Sequence, residues 1–280
     1  MDKIKFFISS LASRKNTFCS PLKKWLFLSI FILSVFMLSK PDTTFSQDEV
    51  KLPILLYHNV TSAYRAEDEQ LHITPERFRE HMTALKANGF TPISFQEYYD
   101  YRVNGAFLPA KPIIISFDDG YITNYEYAYP ILKELNMKAT FFAVTRSSFY
   151  PTAFPIPHYD WKMANEMQSS GLIEIESHSY THPRHADLTL QKIEQEARLS
   201  YFDIKTFLHK EPLVYSYPNG SFSEQTKQIV RKAGYKMQVK VGNDGVNTDR
   251  TPLDELIRIN IGGLTTPQQL LQLLETFLNS

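Results

Sequence analysis

Two short polar segments, about sixty positions apart, carry the side chains best suited to chemistry. The first holds adjacent carboxylates, Asp118 and Asp119, directly after the apolar, β-branched run 112–115, which predicts a buried strand. Gly120 then permits a sharp turn. Because neighbouring side chains diverge on an extended or turning backbone, we expect the two carboxylates to have different tasks. One can bind a cation while the other faces a substrate.

The second segment presents two imidazoles, His178 and His182, directly after the alternating, strand-like run 172–176. Residues four positions apart face the same way if the chain turns helically. Two neutral ring nitrogens and one carboxylate suit Zn²⁺, and three protein ligands leave coordination positions open for water and substrate. Alone, an Asp-Asp-Gly sequence is usually an ordinary turn and such a histidine pair often binds nothing. Together the two segments predict a mononuclear catalytic metal site.

With these motifs in this order, the chain resembles the polysaccharide deacetylase family, also called the NodB-homology or carbohydrate esterase family 4 group. Three further stretches resemble segments of that family. Residues 159–161 precede an expected helix, as in the family, and Ser216-Tyr217-Pro218-Asn219-Gly220 resembles the Pro/Gly-containing motif of the family. Residues 53–60 resemble the opening strand of the branch that includes exopolysaccharide and peptidoglycan deacetylases. The resemblance covers about residues 50–265.

The resemblance implies a role for each of these polar residues. Asp119, His178 and His182 are expected to hold a divalent metal ion, with Zn²⁺ as the expected ion. Asp118 is expected to be the base that takes a proton from water. The backbone N–H of Asn219 is expected to stabilise the oxyanion that forms when water attacks an acetamide carbonyl.

The chain departs from the family pattern in two places. Many relatives carry an arginine at the position of Ser216, where it tethers the catalytic aspartate; Arg258, in the expected strand 256–261, is the candidate replacement, and an outward-facing arginine is the alternative. Many relatives also place a late histidine that protonates the leaving amine, but no histidine follows His209 here. His58, at the end of the first strand, is the candidate proton donor. The alternative is a hydrogen-bonded histidine that closes a strand.

The remaining histidines and the aromatic segments carry weaker expectations. His185 could act as a third imidazole ligand, but a carboxylate completes the site that the resemblance implies. His72, His81 and His209 lie in polar or helix-like surroundings, and we expect them at the surface. The aromatic-rich segments 121–129 and 149–159 are expected to form groove walls, because sugar rings pack their C–H faces on aromatic rings.

Beyond residue 50, strand-like and helix-like runs alternate. This alternation predicts an α/β fold with a parallel sheet and helices outside it, and about seven strands predict a closed, distorted (β/α) barrel. The expected strands are 52–57, 113–117, 139–144, 173–177, 214–217, 237–241 and 257–261. Both polar motifs follow strand carboxyl ends, the face on which such barrels carry active sites.

The first 46 residues differ in composition from the rest. Residues 1–40 hold seven Lys or Arg and one acidic residue, and an uncharged, mostly apolar run spans 25–39. This pattern predicts a basic region, a hydrophobic signal or membrane-anchor segment and a polar linker over 1–46, with a catalytic domain over 47–280. The domain is therefore expected outside the cytoplasm, secreted or anchored to the membrane. Cys19, the only cysteine, precedes the apolar run, so thiol catalysis is excluded if that segment is cleaved.

The net charge of the chain beyond residue 40 bears on which partners it can bind. The other 240 residues carry a net charge of about −6, which makes nucleic acid an unlikely partner by electrostatics. The leading function is removal of acetyl groups from N-acetylated amino sugars in a polysaccharide such as poly-N-acetylglucosamine, peptidoglycan or a chitin-like polymer. Two alternatives stay open: a carbohydrate O-acetyl esterase, and a catalytically weak glycan-binding surface protein.

Overall fold

In the computed structural model, which describes residues 49–63, 70–242 and 245–279, seven parallel strands close into a barrel. They are β1 (Ile54–Tyr57), β2 (Pro112–Phe117), β3 (Ala139–Ala143), β4 (Ile173–Ser177), β5 (Val214–Ser216), β6 (Met237–Val241) and β7 (Leu256–Asn260). Each strand pairs with the next, and β7 returns to β1, with Leu55 opposite Ile259. The predicted seven-stranded α/β barrel is confirmed. The signal or anchor segment and the boundary after residue 46 lie outside the described residues.

Helices surround this barrel. Within the described ranges they are α1 (Pro75–Ala87), α2 (Phe95–Asn104), α3 (Tyr129–Leu135), α4 (Trp161–Ser169), α5 (Leu190–Leu208), α6 (Glu224–Ala233) and α7 (Pro267–Asn279). In this part of the chain, no helix has the length and apolar character needed to cross a membrane.

Short polar side chains fix where the helices begin. Each of five N-cap residues accepts a hydrogen bond from the backbone N–H three residues later: Thr74, Ser94, Asp160, Thr189 and Ser223. At the start of α2, the Glu97 side chain also accepts from the N–H of Ser94, which completes a capping box. These caps set the length of the loops that precede the helices, and the loops after β3 and β4 lie beside the polar residues described below.

The strand side chains that point into the barrel change character along each strand. Successive strand residues face opposite sides, so positions two apart share the interior. Apolar side chains fill the amino-terminal half, where Ile114, Val214 and Leu256 belong to one buried cluster. Two residues later on the same strands come Ser116, Ser216 and Arg258, all fully buried. The polar half of the interior therefore lies at the carboxyl ends of the strands.

Two histidines outside this polar end correct an expectation. His81 was expected at the surface but is fully buried on α1, with Nδ1 3.1 Å from the Tyr57 hydroxyl and Nε2 2.7 Å from the carbonyl oxygen of Thr265. His72 is buried as well. The expectation was based on the polar residues next to His81 in the sequence. At helical spacing, however, His81 lies on the same apolar face of α1 as Phe78 and Met82. His209 is exposed, as expected.

Candidate active site

Three potential metal ligands converge at the carboxyl ends of β2 and β4. Asp119 Oδ1 lies 3.4 Å from His178 Nε2 and 3.3 Å from His182 Nε2, and the two ring nitrogens are 3.1 Å apart. Asp119 adopts φ 71° directly before Gly120, so the tight turn after β2 directs its carboxylate toward the histidines. The two segments that the sequence singled out therefore meet at one point.

The donor set fits a divalent cation such as Zn²⁺. Zinc bonds of about 2.1 Å at tetrahedral angles place neighbouring ligand atoms about 3.4 Å apart, close to the three separations found here. The Nδ1 N–H of His178 donates to the carbonyl oxygen of Ser216 at 3.0 Å, so Nε2 is the ring atom that faces Asp119 and is available to a cation. Three polar atoms with lone pairs at contact distance are best satisfied by a shared cation.

A second buried carboxylate lies beside this cluster. Asp118 is 2% exposed, and its two oxygens accept hydrogen bonds from the Arg258 guanidinium at 2.7 and 2.6 Å. The Ser216 hydroxyl donates to the same carboxylate at 3.2 Å and accepts from Arg258 at 2.8 Å. The guanidinium also lies over the ring of Phe142, 5.2 Å from its centroid. Arg258 therefore points into the barrel and contacts the carboxylate that the sequence proposed as the base.

The two carboxylates remain ionised despite their burial. Burial alone raises the pKa of Asp118, but the charge of Arg258 and then of His178 outweighs it and leaves this pKa below its usual value. Burial also opposes ionisation of Asp119, but in the metal-free chain hydrogen bonds donated by the ring N–H groups of His178 and His182 hold the pKa of Asp119 well below the usual range. Burial lowers the pKa of His178, yet the neighbouring carboxylates raise it overall. Two ionised carboxylates thus give this end of the barrel a negative charge that favours the binding of a cation.

His58 lies directly after β1 on the same polar end of the barrel and is partly buried. Burial lowers the pKa of His58, although the charges of Asp118 and Asp119 oppose this shift, so the resting imidazole is neutral at pH 7. Its Nδ1 atom is buried and has no hydrogen-bond partner among the described residues. Its carbonyl oxygen accepts from the Asn124 side chain at 2.6 Å, which fixes the backbone at this position.

Asn219 lies on the loop directly after β5, between Pro218 and Gly220. It adopts φ 55° and ψ 21°, a left-handed conformation that asparagine tolerates better than most residues. Its side chain is exposed. The loop begins at Tyr217, one residue after the serine that contacts Asp118, so Asn219 lies at the same end of the barrel as the ligands.

His185 does not join the ligand cluster, which contains Asp119 and the two other histidines. Its Nε2 atom lies 3.0 Å from the Tyr215 hydroxyl, and its ring packs edge-on against Tyr217. Burial, reinforced by the charges of the two metal-site histidines, lowers the pKa of His185 to about 4. His185 therefore packs against tyrosines of β5 and the loop that follows it, and does not face the ligand cluster.

An open groove of about 360 Å³ borders the ligands, and its lining includes Asp119 and His182. Tyr121 and residues of the segment 154–158 also line this groove. The Tyr121 and His158 rings are 5.4 Å apart, and Phe154 packs edge-on against His158 at 4.9 Å. Part of each expected aromatic segment therefore lines this groove, while Tyr125 and Tyr129 stack on each other outside its lining.

One contact of the site was missed from the sequence. Ser216 was noted only for the arginine it replaces, yet its hydroxyl lies between Arg258 and Asp118 and contacts both. The available signal was its position two residues after Val214 on the same strand, which places both side chains inside the barrel.

Comparisons with known proteins identify the same family that the sequence motifs indicated. The family model described as polysaccharide deacetylase matches residues 107–238. YxkH of Bacillus subtilis (strain 168), which carries the name of a polysaccharide deacetylase, is 31% identical over 205 residues, or 73% of this chain and 70% of that protein. The poly-beta-1,6-N-acetyl-D-glucosamine N-deacetylase of Staphylococcus epidermidis is 26% identical over 187 residues, or 63% of this chain and 64% of that protein. The chain thus matches less than two thirds of the staphylococcal relative.

Solved structures show the same fold. The Streptococcus pyogenes deacetylase PplD, solved in complex with acetate, superposes with a TM-score of 0.73 at 28% identity and covers 81% of this chain and 99% of its own. The de-N-acetylase from Aggregatibacter actinomycetemcomitans superposes with a TM-score of 0.71 at 23% identity, covering 80% of this chain and 100% of its own, and supports the fold alone. On its match to the family model and its likeness to YxkH, this chain belongs to the polysaccharide deacetylase family and is a hydrolase.

Proposed function

We propose that this chain is a metal-dependent N-deacetylase that hydrolyses the acetamide of N-acetylated amino sugars in an extracytoplasmic polysaccharide. The observation that carries the proposal is the pairing of a ligand triad, Asp119, His178 and His182, with a separate buried carboxylate, Asp118, held by Arg258. A hydrolase that activates water needs both a cation site and an adjacent base.

Asp118 acts as the general base in this proposal. When bound by the triad, a divalent ion supplies Lewis acidity toward the acetamide carbonyl and lowers the pKa of water. The Asp118 carboxylate, with Oδ2 3.6 Å from His178 Nε2, borders that cluster and takes the proton from the attacking water. Arg258 keeps Asp118 ionised at neutral pH and fixes the plane of its carboxylate through two parallel hydrogen bonds.

The remaining two roles fall to His58 and Asn219. Hydrolysis consumes one water, breaks the carbon–nitrogen bond and releases acetate and a free amine, so the leaving nitrogen must gain a proton. His58, at the carboxyl end of β1, is neutral at rest; in the reaction it gains the proton that Asp118 takes from water and, as an imidazolium, passes it to the leaving nitrogen. The backbone N–H of Asn219 stabilises the developing oxyanion, and the fixed φ of Pro218 and the flexibility of Gly220 let this loop approach the substrate closely.

The substrate we propose is a polymer of N-acetylglucosamine, with poly-β-1,6-linked glycan first and peptidoglycan or chitin-like chains next. The similarity to the staphylococcal N-deacetylase supports this choice. The groove supports it as well, because its aromatic wall of Tyr121, Phe154 and His158 offers ring faces for sugar C–H groups. The apolar run 25–39 supports an extracytoplasmic location.

The test is acetate and free-amine release by the full-length chain from a panel of acetylated glycans, with and without a chelator. We expect both products in equal amounts and loss of activity when the metal is removed. Asp118→Asn is expected to lower turnover at least about a hundredfold while metal still binds, and Asp119→Ala to lose the metal. Asp254→Asn, in a surface ion pair with Arg231, is the matched control. Acetate without new amine would indicate an esterase instead, and glycan binding without acetate would indicate a binding protein.

A further inference from the structure

The turn that bears His182 has a backbone that non-glycine residues rarely adopt. Both Ser179, at φ 68°, and His182, at φ 62°, are in the left-handed region. Such conformations are unfavourable for residues with a Cβ and persist only where the surroundings impose them. The His182 side chain is 35% exposed, whereas that of His178 is 3% exposed. The second ligand therefore depends on whatever holds its backbone.

The side chain of Glu196, on α5, binds this turn directly. One carboxylate oxygen accepts hydrogen bonds from the backbone N–H groups of Tyr180 and Thr181 at 3.0 and 2.7 Å. The other oxygen accepts from the Thr181 hydroxyl at 2.6 Å. Hydrogen bonds to an ionised acceptor are among the strongest in proteins. Three of them reach the two residues that immediately precede His182.

Two further polar side chains on the same face of α5 extend this contact. Positions 196, 200 and 203 follow at helical spacing and share one face. The Ser200 hydroxyl accepts from Ser177 at 2.9 Å, and Ser177 in turn accepts from the N–H of Ser179 at 3.1 Å. Asp203 accepts from the Thr145 hydroxyl at 2.7 Å, and the Thr145 N–H donates to the carbonyl oxygen of Ser179 at 3.2 Å. The polar face of α5 thus contacts both sides of the histidine turn.

We propose that Glu196 is a positioning residue for the metal site: through the backbone of Tyr180 and Thr181 it holds His182 in the conformation that directs both imidazoles at Asp119. All three hydrogen bonds of Glu196 go to Tyr180 and Thr181, not to the side chains of the proposed metal ligands. It acts by selecting one backbone conformation of the turn, and a turn released from it samples conformations in which His182 faces solvent. This inference rests on the proposed metal-dependent function.

The test compares the affinity of the full-length chain for Co²⁺ and Zn²⁺, by competition with a chromophoric chelator, among three variants. Glu196→Ala is expected to weaken metal binding about 10- to 100-fold and to alter the Co²⁺ absorption spectrum. Glu196→Gln is expected to fall between Glu196→Ala and wild type, because its amide oxygen can still accept the two backbone hydrogen bonds. Glu194→Ala, an exposed glutamate on the same helix that pairs with Arg198, is the matched control and is expected to bind metal within twofold of wild type, since side-chain changes away from the site leave the ligands in place.

The outcomes separate this inference from the proposed function. If the wild-type chain binds metal and Glu196→Ala binds it within twofold, the positioning role is wrong and the proposed function stands. If the wild-type chain binds no metal, both are wrong. Should Glu196→Ala fail to fold, Glu196→Gln decides: weakened binding with an unchanged melting temperature of the chelator-treated protein supports the role, and unchanged binding overturns it.

Discussion

Replacement of Arg258 by methionine tests the electrostatic core of the site. The substitution keeps an unbranched chain of similar reach inside the barrel but removes the guanidinium. Arg258 is fully buried and Asp118 is 2% exposed, so the change leaves an ionised carboxylate in the interior with the Ser216 hydroxyl as its remaining side-chain hydrogen-bond donor. Breaking a buried ion pair by removing one partner costs about 3–5 kcal/mol. We expect Arg258→Met to lower the free energy of unfolding by that amount at pH 7.

The sign of the pH dependence follows from Asp118. In wild type, its pKa is below the usual value, so this carboxylate contributes stability above pH 4 that is lost as the pH falls through its folded pKa. Without Arg258, burial dominates and raises the pKa of Asp118 above the value in the unfolded chain. The folded variant then takes up a proton that the unfolded chain does not, and its stability increases as the pH falls. The deficit of Arg258→Met should therefore be smaller at pH 5 than at pH 7.

The assay is urea-induced unfolding of the chelator-treated, full-length chain at both pH values. The double variant Asp118→Asn/Arg258→Met completes a mutant cycle, and it should be more stable than Arg258→Met alone because position 118 no longer carries a buried charge without its arginine partner. Arg250→Ala, in an ion pair with Glu49 where the arginine is 89% exposed, is the control and should cost less than about 1 kcal/mol. A cost below about 1 kcal/mol for Arg258→Met at pH 7, or a double variant no more stable than the single one, would refute the reasoning.

Three further substitutions test single side chains in or beside the site. Ser216→Ala removes one hydrogen bond to Asp118 while the arginine remains, so we expect a loss of about 1 kcal/mol in unfolding free energy and less than tenfold in turnover. In the metal-free chain, the low pKa of His185, about 4, means that the unfolded chain takes up a proton below pH 6.5 that the folded chain does not. His185 should then lower stability by up to about 1.4 kcal/mol per pH unit between pH 6 and 4.5, and an identical pH profile for His185→Gln would contradict this. Phe154→Ala should raise KM for an acetylated oligosaccharide about threefold or more with kcat unchanged, because its ring contacts His158 in the groove wall; an unchanged KM would exclude a role in binding.

The strands and helices could be predicted because their signals are local. Each barrel strand ends within about one residue of its expected position, since short apolar, β-branched runs are bounded by polar or turn residues. Helix starts carry an equally local signal at Thr74, Ser94 and Ser223, where a short polar side chain caps the helix. Strand order and closure depend on contacts between distant residues, and they were expected from the alternation of elements rather than from any one segment.

The meeting of Asp119, His178 and His182 at one point could be predicted for the same reason, because each lies within five residues of the end of a recognisable strand. The side chains that surround this cluster and hold its backbone could not be predicted. Glu196 contacts the histidine turn and Asp203 contacts the loop after β3, yet in the sequence they are two of three acidic residues on a long helix with many other polar side chains. Their spacing places them on one face with the buried Ser200, and a polar stripe on the buried face of a helix is the signal that was present but not used.

Arg258 shows how an arginine on one strand can contact a carboxylate that a residue on another strand could also have reached. By the resemblance, many relatives carry an arginine at the position of Ser216, where it would place a positive charge beside the aspartate that corresponds to Asp118. In a closed barrel, the inward side chains of non-adjacent strands share one interior space at the carboxyl end, so β5 and β7 both reach the carboxylate that follows β2. A serine at 216 leaves room for the long side chain from 258, and its hydroxyl then bonds to the guanidinium. The sequence signal was a single charged residue at an inward position of the otherwise apolar run 256–259, and a charge placed there must find a buried partner.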